Sequence, residues 1–319
     1  MKHLVAILAH KAKSQLNYLI DALVEQGFEV IIHLDQKNSA ELKTLLGNRV
    51  KYCIPQELNV KRGHYSLLLA SLHLLEHSMN FDFDYYHLIS GEDLPVKSAH
   101  GMNELLSITK GASFINHNKL PINSKQEKKE KHTIFKDYSE FKDQIPLSNY
   151  EHFAFKNGIG LVNSRQFQEN SLFTQLTKKL HGFRSYWKLY HTIFKRKSPP
   201  MDYYAGSAWY SLHRDLVKAL ISKYKTEPHL LEYFKYVGFP DEIFIQSISQ
   251  NLNYNFPIIN SDLRYISWDS RTNQGPSYLN KEIGDVLKNS NAFFARKWDI
   301  ASKEEFHQIY HYLCSKEAK

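Results

Sequence analysis

Residues 5–35 read VAILAHKAKSQLNYLIDALVEQGFEVIIHLD, and this stretch decides the fold. VAILAH (5–10) is an apolar run of strand length. SQLNYLIDALVEQG (14–27) puts Leu16, Leu19, Ile20, Leu23 and Val24 on one helical face and stops at Gly27, and EVIIHLD (29–35) is a second apolar run. Strand, helix and strand with short connections form a βαβ unit, which dictates a parallel pair joined by a right-handed crossover. Further along, SLLLASLHLLEHS (66–78) predicts an apolar helix leading into a third strand at 85–89. The expected fold class is therefore α/β, with a mainly parallel, Rossmann-like nucleotide-binding sheet flanked by helices. No G-x-G-x-x-G and no GKS or GKT string occurs, which disfavours dinucleotide binding and P-loop phosphate cradling.

The third strand runs into YYHLISGEDLPVK (85–97), where an apolar segment stops abruptly at Ser90-Gly91-Glu92-Asp93. One reading makes Gly91 the supplier of an unusual backbone angle and Glu92 and Asp93 solvated turn formers. The other makes Gly91, Glu92 and Asp93 nucleotide-binding residues at the carboxyl edge of the sheet, together with His10 after the first strand and His33 and Asp35 at the end of the second. His33 and Asp35 also have the spacing of a divalent-cation pair, but no matching second pair accompanies them, so no metal is expected.

A second acidic turn, Phe239-Pro240-Asp241-Glu242, opens an apolar segment far along the chain. Proline in a first helical turn followed by acids is a helix-start pattern, and that suffices for Asp241. A carboxylate held ionised there is also what a general base requires, which makes Glu242 the catalytic candidate. Arg296 and Lys297, in FARKWD (294–299), read either as an exposed pair with stems on Phe294 and Trp298 or as a clamp on a diphosphate leaving group.

With 319 residues the chain can bury a full core as one large domain or two lobes. We read it as a single catalytic domain over 1–319: a nucleotide-binding half at 1–116, a lysine-rich mobile segment at 117–150, and an acceptor-binding and catalytic half at 151–319. Its two cysteines, Cys53 and Cys314, exclude a disulfide framework and a structural zinc, and fit a reducing compartment. The amino-terminal apolar run is too short for a signal segment, and no stretch approaches about 20 apolar residues, so a soluble, cytoplasmic protein is expected. The net charge of +8 suits anionic partners, with clusters at Lys125–Lys136 and Lys195–Lys197 that suggest peripheral attachment to an anionic inner-membrane surface. No nucleic-acid motif accompanies the charge, so nucleic acid is not an expected partner.

Taken in order, LAHK (8–11), IHLDQK (32–37), RGHYSLLLASLHLL (62–75), YYHLISGEDLPVKS (85–98), GSAWYSL (206–212), PDEIFIQSI (240–248), LRYISW (263–268) and FARKWD (294–299) resemble the core-2/I-branching β-1,6-N-acetylglucosaminyltransferase family, glycosyltransferase family 14. The resemblance implies a GT-A type fold and an inverting displacement on a UDP-sugar, without the metal and DxD motif of most GT-A enzymes. It implies no cofactor beyond the UDP-sugar donor. By position, Glu242 matches the base and Lys297 the diphosphate ligand. The partnering arginine differs in spacing, leaving Arg271 or Arg296. Trp268 matches the acceptor-side tryptophan, with Trp209 and Asp241 as further acceptor-side candidates. The absence of an anchor and of many cysteines resembles a bacterial member. The expected function is transfer of GlcNAc from UDP-GlcNAc to a hydroxyl of a bacterial surface glycan, lipid-linked acceptors included. Xylose, glucose or galactose donors, or a non-catalytic glycan- or nucleotide-binding module, are the alternatives.

Overall fold

The computed structural model describes residues 1–120, 199–235, 237, 239–267 and 276–314. Its first strand β1 (His3–Ala9), helix α1 (Gln15–Glu25) and strand β2 (Glu29–Leu34) form the expected parallel βαβ unit, with Leu4 beside Glu29 and Ala9 beside Leu34. Helix α2 (Ser39–Leu46) follows, and α3 (Tyr65–Ser78) returns the chain to β3 (Tyr85–Ser90), which pairs in parallel with the other edge of β1.

Beyond β4 (Asp93–Pro95) and α4 (Ala99–Ile108), strand β5 (Ser113–Ile115) rejoins the main sheet, and β6 (Asn118–Lys119) pairs with β7 (Tyr204–Ala205) outside it. Strand β8 (Tyr210–His213) then inserts antiparallel between β3 and β5. Helices α5 (Arg214–Thr226), α6 (Pro228–Phe234) and α7 (Phe244–Asn251) precede β9 (Ile258–Ile259), which completes a six-stranded sheet ordered β2-β1-β3-β8-β5-β9. Strands from both ends of the sequence thus share one sheet.

The two faces of that sheet follow from strand period. Leu4, Ala6 and Leu8 of β1 enter a cluster with Leu68, Leu72 and Leu75 of α3 and Leu216 and Leu220 of α5. Val5, Ile7 and Ala9 enter the opposite cluster, with Leu16, Leu19 and Leu23 of α1 and Phe306 and Tyr310 of the final helix α9 (Lys303–Cys314). Val24, assigned to the apolar face of α1 from its spacing, is instead 40% exposed at the rim of that face.

A buried polar chain crosses the middle of the sheet. Arg264, in β10 (Arg264–Ile266), donates to Ser211 Oγ at 3.1 Å, Ser211 Oγ meets His87 Nδ1 at 2.9 Å, His87 Nε2 meets His3 Nδ1 at 2.9 Å, and His3 Nε2 meets Asn103 Oδ1 at 3.0 Å. A guanidinium can only donate, so the serine hydroxyl is free to donate onward, and both histidines then carry their proton on Nε2.

The site is organised by a second, three-stranded sheet. Strand β11 (Phe294–Arg296) runs parallel to β10 and antiparallel to β4, which sets Arg296 opposite Asp93 and Ala295 opposite Leu94. Helix α8 (Gly284–Lys288) precedes it. The SGED turn and the FARKWD segment, two hundred residues apart in sequence, are therefore register partners.

Candidate active site

The turn after β3 is buried, not solvated. Glu92 is 2% exposed and Asp93 is fully buried. Asp93 accepts from the backbone N–H of Ser90 at 3.0 Å and from Ser90 Oγ at 2.7 Å, and it meets Arg296 Nε at 3.3 Å. The solvated-turn reading fails for a physical reason: β4 and β11 cover the turn, and its charges are matched inside. Gly91 is likewise not required by backbone angle. Its φ is not in the left-handed region, and an added Cβ would make only ordinary contact with Leu16.

The exposed-pair reading of Arg296 and Lys297 fails in the same way. Arg296 is 8% exposed, and its guanidinium lies over the Trp209 ring at 4.1 Å. Lys297 is half-buried. Burial lowers the Lys297 pKa, Glu92 partly restores it, and Arg296, Lys11 and Arg62 lower it further. Four cations therefore share one field.

Glu92 sits at the centre of that field. Its Oε1 accepts from Lys11 Nζ at 2.8 Å and from Tyr278 Oη at 3.1 Å, and its Oε2 lies 3.6 Å from His10 Nε2. Burial opposes its ionisation, but the Lys11 hydrogen bond and the charges of Lys11 and Lys297 outweigh burial and hold its pKa below the usual carboxylate value. Burial pushes the His10 pKa down, so His10 is neutral near pH 7.

The second acidic turn approaches through Arg62. Pro240–Glu242 is a 3-10 turn that leads into α7, a shorter device than the continuous helix its sequence suggested. Phe239, which begins it, has φ of +50°, and its backbone N–H bonds Gly63 O at 3.2 Å. Gly63 itself has φ of +68°, and a Cβ there would come 3.0 Å from the Phe239 ring, so only glycine lets the two turns meet. The helix start does not hold these acids ionised as their sequence position suggested: burial raises the pKa of Glu242 to about 7 and that of Asp241 to about 6, and Arg62 pulls both only partly back down. Asp241 is buried with Oδ1 making no hydrogen bond.

The remaining sequence candidates fall into three groups. His33 is buried, with its pKa lowered to about 4 by burial first and by His73. Asp35 caps the turn after β2, accepting from the backbone N–H of Lys37 at 3.1 Å and of Val60 at 3.3 Å. Its backbone N–H bonds Ala9 O at 2.9 Å, which puts it one strand from His10. Trp268 and Arg271, with the lysine clusters at 125–136 and 195–197, lie outside the described residues. Among the described residues no group of three His, Cys, Asp or Glu is placed to hold a metal ion, and no helix is long and apolar enough to cross a membrane. Asp82, in the DxD-like string before β3, is engaged at the surface with Lys2 and Arg214.

Sequence reasoning passed over Lys11, Arg62 and Tyr278 as site residues. Lys11 lies in LAHK and Arg62 in RGHY, so both had a signal in their motif positions. Tyr278 had none.

A family model described as core-2/I-branching enzyme matches residues 6–285. Two Arabidopsis thaliana proteins are similar over 110 residues: beta-glucuronosyltransferase GlcAT14A at 32% identity and GlcAT14B at 31%, in each case over 33% of this chain and 25% of the plant protein. The chain thus matches about a quarter of the length of these relatives. A crystal structure of a protein from STIV matches 38% of this chain and 48% of its own at 16% identity, with a TM-score of 0.19, too slight a likeness to bear on the fold.

Proposed function

We propose, from the premise that this chain belongs to the core-2/I-branching enzyme family, that it is an inverting glycosyltransferase of GT-A type that moves GlcNAc from UDP-GlcNAc to a glycan hydroxyl. Glu242 takes the acceptor hydroxyl proton, the hydroxyl oxygen bonds to the anomeric carbon from the face opposite UDP, and the bond to the β-phosphate oxygen breaks. Lys297, Arg296 and Arg62 take up the charge that grows on departing UDP. What supports this reading is that the Gly63 turn beside Arg62 and the Phe239–Glu242 turn are joined by a backbone hydrogen bond, and that Arg62 acts electrostatically on both Glu242 and Lys297. The four cations Lys11, Arg62, Arg296 and Lys297 against the anions Glu92 and Asp93 leave a surplus of positive charge suited to a diphosphate.

Metal independence is part of the proposal and follows from that surplus. A bacterial source, a β-1,6 linkage and a lipid-linked surface acceptor belong to it on the family resemblance. Attachment to an anionic membrane rests on the two lysine clusters. The names of the plant relatives favour a second reading, in which the donated sugar is glucuronate.

Turnover and UDP-GlcNAc affinity of Glu242→Gln test the central role. Transfer should fall by about 10²- to 10⁴-fold with donor affinity within a few fold. Turnover above about a tenth of wild type would remove Glu242 as the base.

A further inference from the structure

Glu92 is an unusual group to find in a site read as an anion clamp. It is a carboxylate, it is almost wholly buried, and it faces the cation that the clamp depends on. Only half of it is satisfied. Oε1 has two donors, Lys11 Nζ and Tyr278 Oη, whereas Oε2 is buried and makes no hydrogen bond. His10 Nε2 lies 3.6 Å from Oε2, beyond hydrogen-bond reach. A buried, ionised oxygen without a donor is costly to maintain, and such groups in folded proteins call for an explanation.

The surroundings indicate where a donor would come from. Glu92 is buried, but the side chains bonded to it or beside it reach solvent: the His10 side chain is 44% exposed and that of Lys11 40%. Tyr278 is 50% exposed as a residue. Glu92 and Lys297 act on each other electrostatically, so an anion held by Lys297 shares the field of Glu92. If Lys297 grips the diphosphate, the sugar is one bridging oxygen away, and its polar groups are the nearest candidates to complete Oε2.

We infer that Glu92 Oε2 accepts a hydrogen bond from a hydroxyl or amide N–H of the donor sugar, and that this carboxylate makes the site select an uncharged sugar over a uronate. The inference rests on the UDP-sugar reading above and deepens it. A sugar hydroxyl or N-acetyl N–H can donate to Oε2; a uronate keeps its ring hydroxyls but brings a second fixed negative charge against Glu92 in a partly buried site, and that charge is what discriminates. Rejection by an unpaired like charge is an effective source of specificity because it penalises the wrong ligand without strengthening the right one.

UDP-glucose and UDP-glucuronate differ only at C6, hydroxymethyl against carboxylate, which makes them the direct probes. Calorimetric titration of wild-type protein with UDP, UDP-glucose, UDP-GlcNAc and UDP-glucuronate should give at least tenfold tighter binding of the two uncharged sugars than of the uronate. In Glu92→Gln, which keeps an acceptor oxygen and removes the charge, the gap between UDP-glucose and UDP-glucuronate should close by about tenfold while UDP itself still binds. Equal wild-type affinities for UDP-glucose and UDP-glucuronate, or an unchanged gap in a Glu92→Gln protein that still binds UDP, would overturn the inference and leave the UDP-sugar reading standing. No binding of any UDP compound by wild type would overturn that reading, and the inference with it.

Discussion

Arg296 lies over Trp209, its guanidinium carbon 4.1 Å from the ring centroid, while its Nε faces Asp93 Oδ1 at 3.3 Å. The side chain is thus fixed by an aromatic face and by a carboxylate that itself is held by Ser90. Stacking and ion pairing together orient a planar cation in a way that a lysine could not reproduce.

Removing the carboxylate should therefore damage the fold before it damages chemistry. Asp93→Ala leaves Arg296 buried without its counter-charge and leaves the Ser90 N–H without an acceptor. Breaking a buried pair from one side costs about 3–5 kcal/mol. Urea unfolding should show a loss of that size, and a loss under about 1 kcal/mol would mean that Arg296 needs no partner there.

The rate should depend on pH through Glu242. A general base works only when deprotonated, so kcat/KM should rise with pH across about 7, the value to which burial brings Glu242. Arg62 favours the charged form and lowers that pKa. Arg62→Ala leaves burial less opposed, so the acidic limb should move to higher pH. A limb that stays in place or moves to lower pH would separate Arg62 from Glu242.

Much of this was legible in the chain. The βαβ unit follows from the helical spacing of Leu16, Leu19, Ile20 and Leu23 between two apolar runs, because local periodicity is what a strand or helix face requires. The candidate base and Lys297 were legible from their motifs. What could not be read was which motifs meet. The pairing of Arg296 with Asp93 is set by a strand register between segments two hundred residues apart, and nothing local encodes it. Tyr278 escaped for the same reason, since it reaches Glu92 across the fold from a segment without periodicity. Burial of the SGED turn was also invisible, because a polar turn that is covered has the same composition as one in water.

Lys297 supplies the test of the clamp. It is half-buried among Lys11, Arg62 and Arg296, an arrangement that burial and repulsion disfavour unless an anion arrives. Lys297→Ala should weaken UDP binding and lower turnover together, since a cation at the leaving group acts in the ground state and more strongly in the transition state. Wild-type turnover should also survive excess EDTA. Unchanged UDP affinity in calorimetry would take Lys297 off the diphosphate, and activity lost to chelator and restored by Mn²⁺ or Mg²⁺ would assign part of the clamp's role to a metal.

The histidine chain beneath the sheet makes stability depend on pH in a definite direction. Burial, then His3 and Arg264, hold the His87 pKa well below its ordinary value of 6.5, and burial lowers that of His3. Folding thus favours the neutral form of both, whereas the unfolded chain binds their protons as the pH falls below 6.5. The unfolded state then carries more protons, so stability is highest above that value and is lost toward acid. His33 and His10 add to the same slope, since burial depresses both. His87→Gln cannot take up that proton, and its slope between pH 6.5 and 5 should be shallower by up to one proton, about 1.4 kcal/mol per pH unit. Urea unfolding of both proteins across that range measures it. Parallel slopes would mean that His87 is protonated in the folded state and that the chain runs from Asn103 to Arg264 with a different arrangement of hydrogens.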